Sequence, residues 1–281
     1  MKLEKYLRMK KIIYFNLIIL FFGTISCTTE TTKENSKDID TLNVQPPKTK
    51  QYFNLPSPIE LYIDLNNASV PFKSNALSKT DSLDKYISSF EKAFMLGIYA
   101  SDIAYCAVYN MSDETINHFV AAKKIADDLG LSEGFDDKIT SRINENMDNP
   151  DSLNEISTDS YSKAINFLRD QNQEDILPLL IFGGWIESVY IASKSYDVKF
   201  SEDNIIVNKI FEQGFLLENL TDYFNSLDNS SKEFEKIKAQ IADLQSLYDK
   251  TQNNEAELIT EEQFNSIMKK IIEIRNFWTK N

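Results

Sequence analysis

The chain has 281 residues, with 30 Lys and Arg against 43 Asp and Glu, a formal charge of −13, one histidine and two cysteines. That acidity disfavours nucleic acid and anionic lipid headgroups as partners. The lone histidine excludes a multi-histidine metal centre, and seven Gly with seven Pro are too few for the turns of an all-β fold, which favours helices.

The amino end, MKLEKYLRMKK, sets Lys2, Lys5, Arg8, Lys10 and Lys11 against Glu4. An apolar run, IIYFNLIILFFGTI, leads to Ser26 and Cys27. A basic start, a short apolar stretch and a small residue before the cut are the parts of a secretory signal. The run is shorter than the roughly 20 apolar residues that span a bilayer core. A cysteine directly after Ser26 is where lipoprotein processing attaches its lipid, although Thr24 stands where Leu is usual. We therefore expect a signal peptide over 1–26, lipidation at Cys27 with acyl chains such as palmitate, and an extracytoplasmic domain anchored to a bacterial membrane, the outer one. Translation from Met1 and from Met9 both fit. Cleavage would leave 25 basic and 42 acidic groups, a charge of −17.

From Thr28 to Lys50 the sequence is polar and nearly free of large apolar residues. It buries too little to fold and reads, over 27–51, as a flexible linker before an all-helical domain at 52–281. Ser57-Pro58-Ile59-Glu60 predicts a first helix to about Asn66, with Ser as cap and Pro at its first position. After a loop to Thr80, Asp81 to Tyr109 reads as a long helix with a break near Ile87. Its second half is apolar nearly all round, the mark of a central helix. Ser112-Asp113-Glu114 opens the next, which closes at Gly130. Two more are expected over 133–147, stopped by Pro150, and 152–171. Asp175 would cap a second highly apolar helix, ILPLLIFGGWIESVYIAS, with Pro178 harmless in its first turn. Ser201 would cap a helix to about Leu227, and Ser230 or Ser231 one to about Thr251. Thr260-Glu261-Glu262-Gln263 is a capping box opening the last helix, to about Thr279.

These segments have a rhythm. A buried helix with internal glycine (Gly97; Gly183 and Gly184) ends near a tyrosine (Tyr109; Tyr196). A Ser-acid start follows (Ser112-Asp113; Ser201-Glu202), and later helices close at Asn149 and Asn229. Either the chain is an internal duplication, with units near 88–172 and 175–252, or helical hairpins merely resemble one another. Gly in a helix interior costs about 1 kcal/mol against Ala, so these glycines point to close helix approach. The fold class expected is all-α, a multi-helix bundle or repeat-like array.

Chemistry is harder to find. There is no G-x-S-x-G, no phosphate-cradling glycine loop and no cysteine cluster. His118 reads as a surface or boundary residue, and Cys106, in IAYCAVY, as a small buried hydrophobe. Two acids stand out: Asp102 in LGIYASDIAYCAVY and Glu187 in IFGGWIESVYIA, each the only charge over several apolar turns. If their helices pack face to face, the two carboxylates could meet Tyr99, Tyr105, Trp185 and Tyr190 around one cavity, as in a glycan site or a general acid/base pair. The simpler reading is that each acid accepts hydrogen bonds from structural partners and fixes helix register. Buried structural polar groups outnumber catalytic ones.

At FNLPSPIELYIDL, LGIYASDIAY and GGWIESVYIAS the sequence resembles a group of helical lipoproteins of Bacteroidota that has no assigned activity, best over 52–196. The resemblance implies a lipid-anchored, helical cell-envelope protein and supplies no substrate or catalytic residue. The leading expectation is an envelope lipoprotein, not an enzyme, whose domain binds another protein as adaptor or scaffold, without metal or cofactor. A small-ligand or glycan module using a cavity between helices 90–109 and 176–196 comes second, and a carboxylate-based hydrolase last.

Overall fold

A computed structural model describes residues 58–131, 176–196, 199–252 and 259–280, with scattered positions between 138 and 171. The signal peptide, Cys27, the linker and the Ser57 and Asp175 caps lie outside the described residues, as does most of the two helices expected over 133–147 and 152–171. Every regular element among the described residues is helical: α1 (Pro58–Asn67), α2 (Ser89–Val108), α3 (Ser112–Asp128), α4 (Leu177–Lys194), α5 (Ile205–Ser226), α6 (Lys232–Gln252) and α7 (Glu261–Thr279). Single 3-10 turns at Ser74–Ala76 and Leu83–Lys85 punctuate the segment between α1 and α2.

The two most apolar helices form the centre. From Ala93 to Ala107, α2 is buried at all but one position, and α4 is buried from Leu177 to Val189. A helix apolar on every face has no solvent side, so it must be surrounded. Accordingly α1 and α3 cover α2, α5 and α7 cover α4, and α6 packs on α5 and α7. The core is strongly aromatic: Phe94 stacks on Trp278 at 5.1 Å between ring centres, and Phe182 meets Phe94 and Phe224 edge-on.

The glycines are what let α2 and α4 touch through their backbones. A Cβ on Gly97 would stand 1.9 Å from the Leu180 carbonyl oxygen, and one on Gly183 would stand 2.2 Å from that of Phe94. The contact is reciprocal, since a shift of 86 positions carries Phe94 and Gly97 onto Leu180 and Gly183. The helices run in the same direction, with Phe94 beside Phe182 at one end and Tyr105 and Ile191 sharing a cluster towards the other.

Caps set the helix starts, and two of them correct the sequence reading. The break expected near Ile87 is present, but the stretch from Asp81 before it holds a single 3-10 turn in place of the expected helix. After the turn at Leu83–Lys85 the chain extends through Tyr86 and Ser88, and α2 begins at Ser89. The cause is a capping box: the Glu91 amide donates to Ser88 Oγ at 3.1 Å, while the Ser88 amide donates to Glu91 Oε2 at 3.2 Å. Likewise α5 is capped by Asn204, whose Oδ1 accepts from the Ile206 amide at 2.8 Å, and not by Ser201. Asn204 immediately precedes the apolar run, which places its side chain over the exposed N–H groups. The expected caps at Ser231 and Thr260 are present. Gly130 closes the turn after α3 at φ +75°, a left-handed conformation that glycine adopts without strain.

Candidate functional site

Both singled-out acids are buried, at 0% exposure, and they do converge. They meet on Ser78, in the irregular segment between α1 and α2. The Ser78 amide donates to Asp102 Oδ2 at 3.3 Å, and its hydroxyl donates to Glu187 Oε1 at 3.1 Å. Two carboxylates this close and this dry need compensation, and it comes from α7. Arg275, 4% exposed, donates from Nε to Glu187 Oε2 at 2.5 Å and from Nη2 to Glu187 Oε1 at 2.8 Å, with a further bond from Nη2 to Ser78 Oγ at 2.8 Å. The bidentate fork uses both Glu187 oxygens, the strongest geometry for a guanidinium–carboxylate pair. The guanidinium also lies over the Tyr190 ring, 3.9 Å from its centre.

The fourth ionisable group is His118 of α3. It is buried rather than at the surface or boundary, because it stands on the apolar stripe of α3 with Thr115, Phe119 and Ala122. Its Nδ1 lies 2.8 Å from the Glu114 carbonyl oxygen and its Nε2 lies 3.0 Å from that of Ser78. Asp102 Oδ2 is 3.7 Å from Nε2. Burial and the neighbouring Glu187 push the Asp102 carboxyl well up from its usual value, against the pull of Arg275 and the Ser78 donors. Burial opposes the charge on Arg275, but Glu187 more than restores it and holds the guanidinium firmly protonated. Asp102 Oδ1 has no hydrogen-bond partner among the described residues.

The aromatic residues expected beside the acids are only partly there. Tyr190 lies under Arg275, and Tyr99 stands beside the His118 ring with its hydroxyl donating to the Lys79 carbonyl at 2.8 Å. Tyr105 belongs to a separate aromatic cluster with Tyr62, Phe72 and Tyr109, and its hydroxyl accepts from the Lys73 amide. Trp185 packs against Phe182 and Tyr248 instead. Five of the six residues are buried and Tyr190 is partly buried, with the acids turned to Ser78, His118 and Arg275. Cys106 is a buried free thiol, pushed up by burial and by Asp102, which suits a small hydrophobe.

Sequence reasoning missed Arg275, Ser78 and His118 as partners of the acids. A signal for Arg275 exists, since it falls on the apolar stripe of α7 in line with Phe264, Met268, Ile271 and Trp278. A cation there must find an anion or leave the core.

At the surface, a groove of about 390 Å³ runs between the 80–84 turn and α3, lined by Thr80, Ser82, Leu83, Asp84, Asn117, Val120, Ala121 and Lys124. Val120 is 63% exposed, and Lys124 bridges the groove to Asp84 at 3.0 Å. No helix among the described residues is long and apolar enough to cross a membrane. Comparison with protein-family models, curated proteins and solved structures finds no match to this chain.

Proposed function

We propose that the chain is a lipid-anchored protein of the bacterial cell envelope whose helical domain docks another protein, as an adaptor or scaffold. The observation that carries the reading is the fate of the two acids. Glu187 has both oxygens engaged by Arg275, Asp102 is enclosed with Ser78 and His118, and all four ionisable groups are at most 5% exposed. A carboxylate that serves as acid, base or glycan ligand must reach its substrate, and these are spent on holding helices together. What such a domain offers a partner is its surface. The groove beside α3 combines an apolar floor, Leu83, Val120 and Ala121, with a charged rim at Asp84 and Lys124, the arrangement of a small protein-binding patch. A signal sequence ending at Cys27 supplies the membrane address.

A photo-crosslinking residue at Val120, in the anchored chain, tests the docking. One adduct of defined mass is expected from Val120, weakened by Lys124→Glu. Its absence across growth conditions would refute the adaptor reading. Cys27→Ser is expected to abolish acyl labelling and to release the chain from the membrane fraction, and labelling that persists would overturn the anchor.

A further inference from the structure

Ser78 is the most deeply charged of several points where the segment at 68–88 is fastened to the bundle, the others being Val70, Lys73, Lys79 and Tyr86. Each of its polar groups is tied to a different buried charge: the amide to Asp102, the hydroxyl to Glu187 and Arg275, and the carbonyl to His118. These four side chains come one each from four helices, α2, α3, α4 and α7.

Their charges do not balance as they stand. Asp102 and Glu187 bring two negative charges and Arg275 one positive, and burying an uncompensated charge is costly. One proton restores neutrality. The hydrogen bonds show where it can sit. Both His118 nitrogens face carbonyl oxygens, at 2.8 and 3.0 Å, and carbonyls only accept. A neutral ring has a single N–H, so one of its nitrogens would point a lone pair at an oxygen lone pair. A ring with N–H on both nitrogens satisfies both carbonyls and faces the Asp102 carboxylate at 3.7 Å.

We propose that His118 and Asp102 together hold one proton at neutral pH, drawn to the ring by the two carbonyls, and that this proton strengthens the tie of the 68–88 segment at Ser78. The other groups facing the pair do not supply the missing charge. Glu187 of α4 is engaged by Arg275 of α7, and burial pushes the hydroxyls of Tyr62 on α1 and Tyr99 on α2, and the thiol of Cys106, upward, so they stay uncharged. Glu114 of α3 contributes its backbone carbonyl. When the pH rises the proton passes to solvent, the cluster is left with a net negative charge, and one carbonyl is left without a donor. The segment that carries Ser78 also forms one wall of the groove, through Thr80, Leu83 and Asp84. The proton therefore adds to the hold on that wall, beside the Tyr99–Lys79 and Lys124–Asp84 contacts, whatever occupies the groove.

The chain contains one histidine, so every imidazole signal belongs to His118. In the full chain labelled with ¹⁵N-histidine and ¹³C-aspartate, both ring nitrogens are expected to report N–H at about pH 7 in the wild type, and only one in Asp102→Asn. Native-state hydrogen exchange is expected to show protection of amides 78–83 falling on the order of tenfold as the pH rises past proton release, while α5 and α6 keep theirs. A ring with a single N–H beside a protonated Asp102 would overturn the placement of the proton on the ring. A ring with a single N–H beside an ionised Asp102 at about pH 7 overturns the proposal, as does protection of 78–83 that does not respond to the proton's loss.

Discussion

Replacing Gly97 by alanine tests the central contact of the fold, because the sign of the effect depends on whether α2 and α4 truly meet through their backbones. In an uncrowded helix interior the change would stabilise by about 1 kcal/mol through helix propensity. Here the new methyl would sit 1.9 Å from the Leu180 carbonyl oxygen and 2.8 Å from the Gly184 amide nitrogen, where an ordinary Cβ contact begins at 3.4 Å. The shortfall to Leu180, 1.5 Å, falls on backbone in a neighbouring helix and cannot be relieved by a rotamer change. Moving the helices apart by that amount loosens the packing along their whole contact, including Phe94 against Phe182. Overpacking of this kind costs about 1–3 kcal/mol, occasionally more, and the rigid obstacle puts Gly97 at the upper end. After the propensity gain, a net loss of about 2 kcal/mol is expected. Urea unfolding followed by circular dichroism would measure it. Gly183→Ala, 2.2 Å from the Phe94 oxygen, should behave alike, because the two glycines exchange roles. A Gly97→Ala variant as stable as the wild type, or more so, would refute the backbone contact.

Arg275→Met should cost about 3–5 kcal/mol by stranding Glu187 as a buried unpaired charge, and Arg275→Met with Glu187→Leu should recover much of it; thermal melts would show a drop of roughly 10 °C and its partial reversal. Asp102→Asn should alter the pH dependence of stability. The buried pair keeps a proton above the ordinary carboxylate range, so its contribution is full in acid and is lost as the pH rises through the raised value. Relative to Asp102→Asn, the wild type should lose up to about 1.4 kcal/mol per pH unit across that window, measured by urea unfolding at several pH values. Ser88→Ala, which removes half of the α2 capping box, should lower stability by about 0.5–2 kcal/mol in the same assay.

Much of the fold is legible in the sequence because its signals are local. Pro58, Pro178 and the Thr260–Gln263 box mark helix starts by backbone chemistry that acts within one turn. The apolar runs around Gly97 and Gly183 announce central helices without any knowledge of their neighbours. Where the expected start stood too early, at Asp81 and at Ser201, the structure caps the helix at Ser88 and at Asn204, nearer the apolar run, since a cap works only when its side chain overhangs the first turn. The site was legible in its acids and not in their partners. Asp102 and Glu187 betray themselves as lone charges in apolar helices. Arg275 lies 88 positions beyond Glu187, in a helix whose other face is charged, and Ser78 is one serine in a loop. Nothing within a few residues of either says what it will touch, because the pairing is made by tertiary packing alone.

The reciprocal contact of α2 and α4 has the form of an isologous interface, the kind two identical subunits make across a two-fold axis. In such a dimer every residue near the axis meets its own copy, so an acid placed there is doubled and must face a like charge. A single chain escapes that rule. The shift that carries Gly97 onto Gly183 carries Ser101 onto Glu187 and Asp102 onto Ser188, so serine and acid appear in opposite order on the two helices. That asymmetry is what allows one carboxylate to take the arginine and the other the histidine: a symmetric frame holding two unlike occupants, which no homodimer built on the same contact could do.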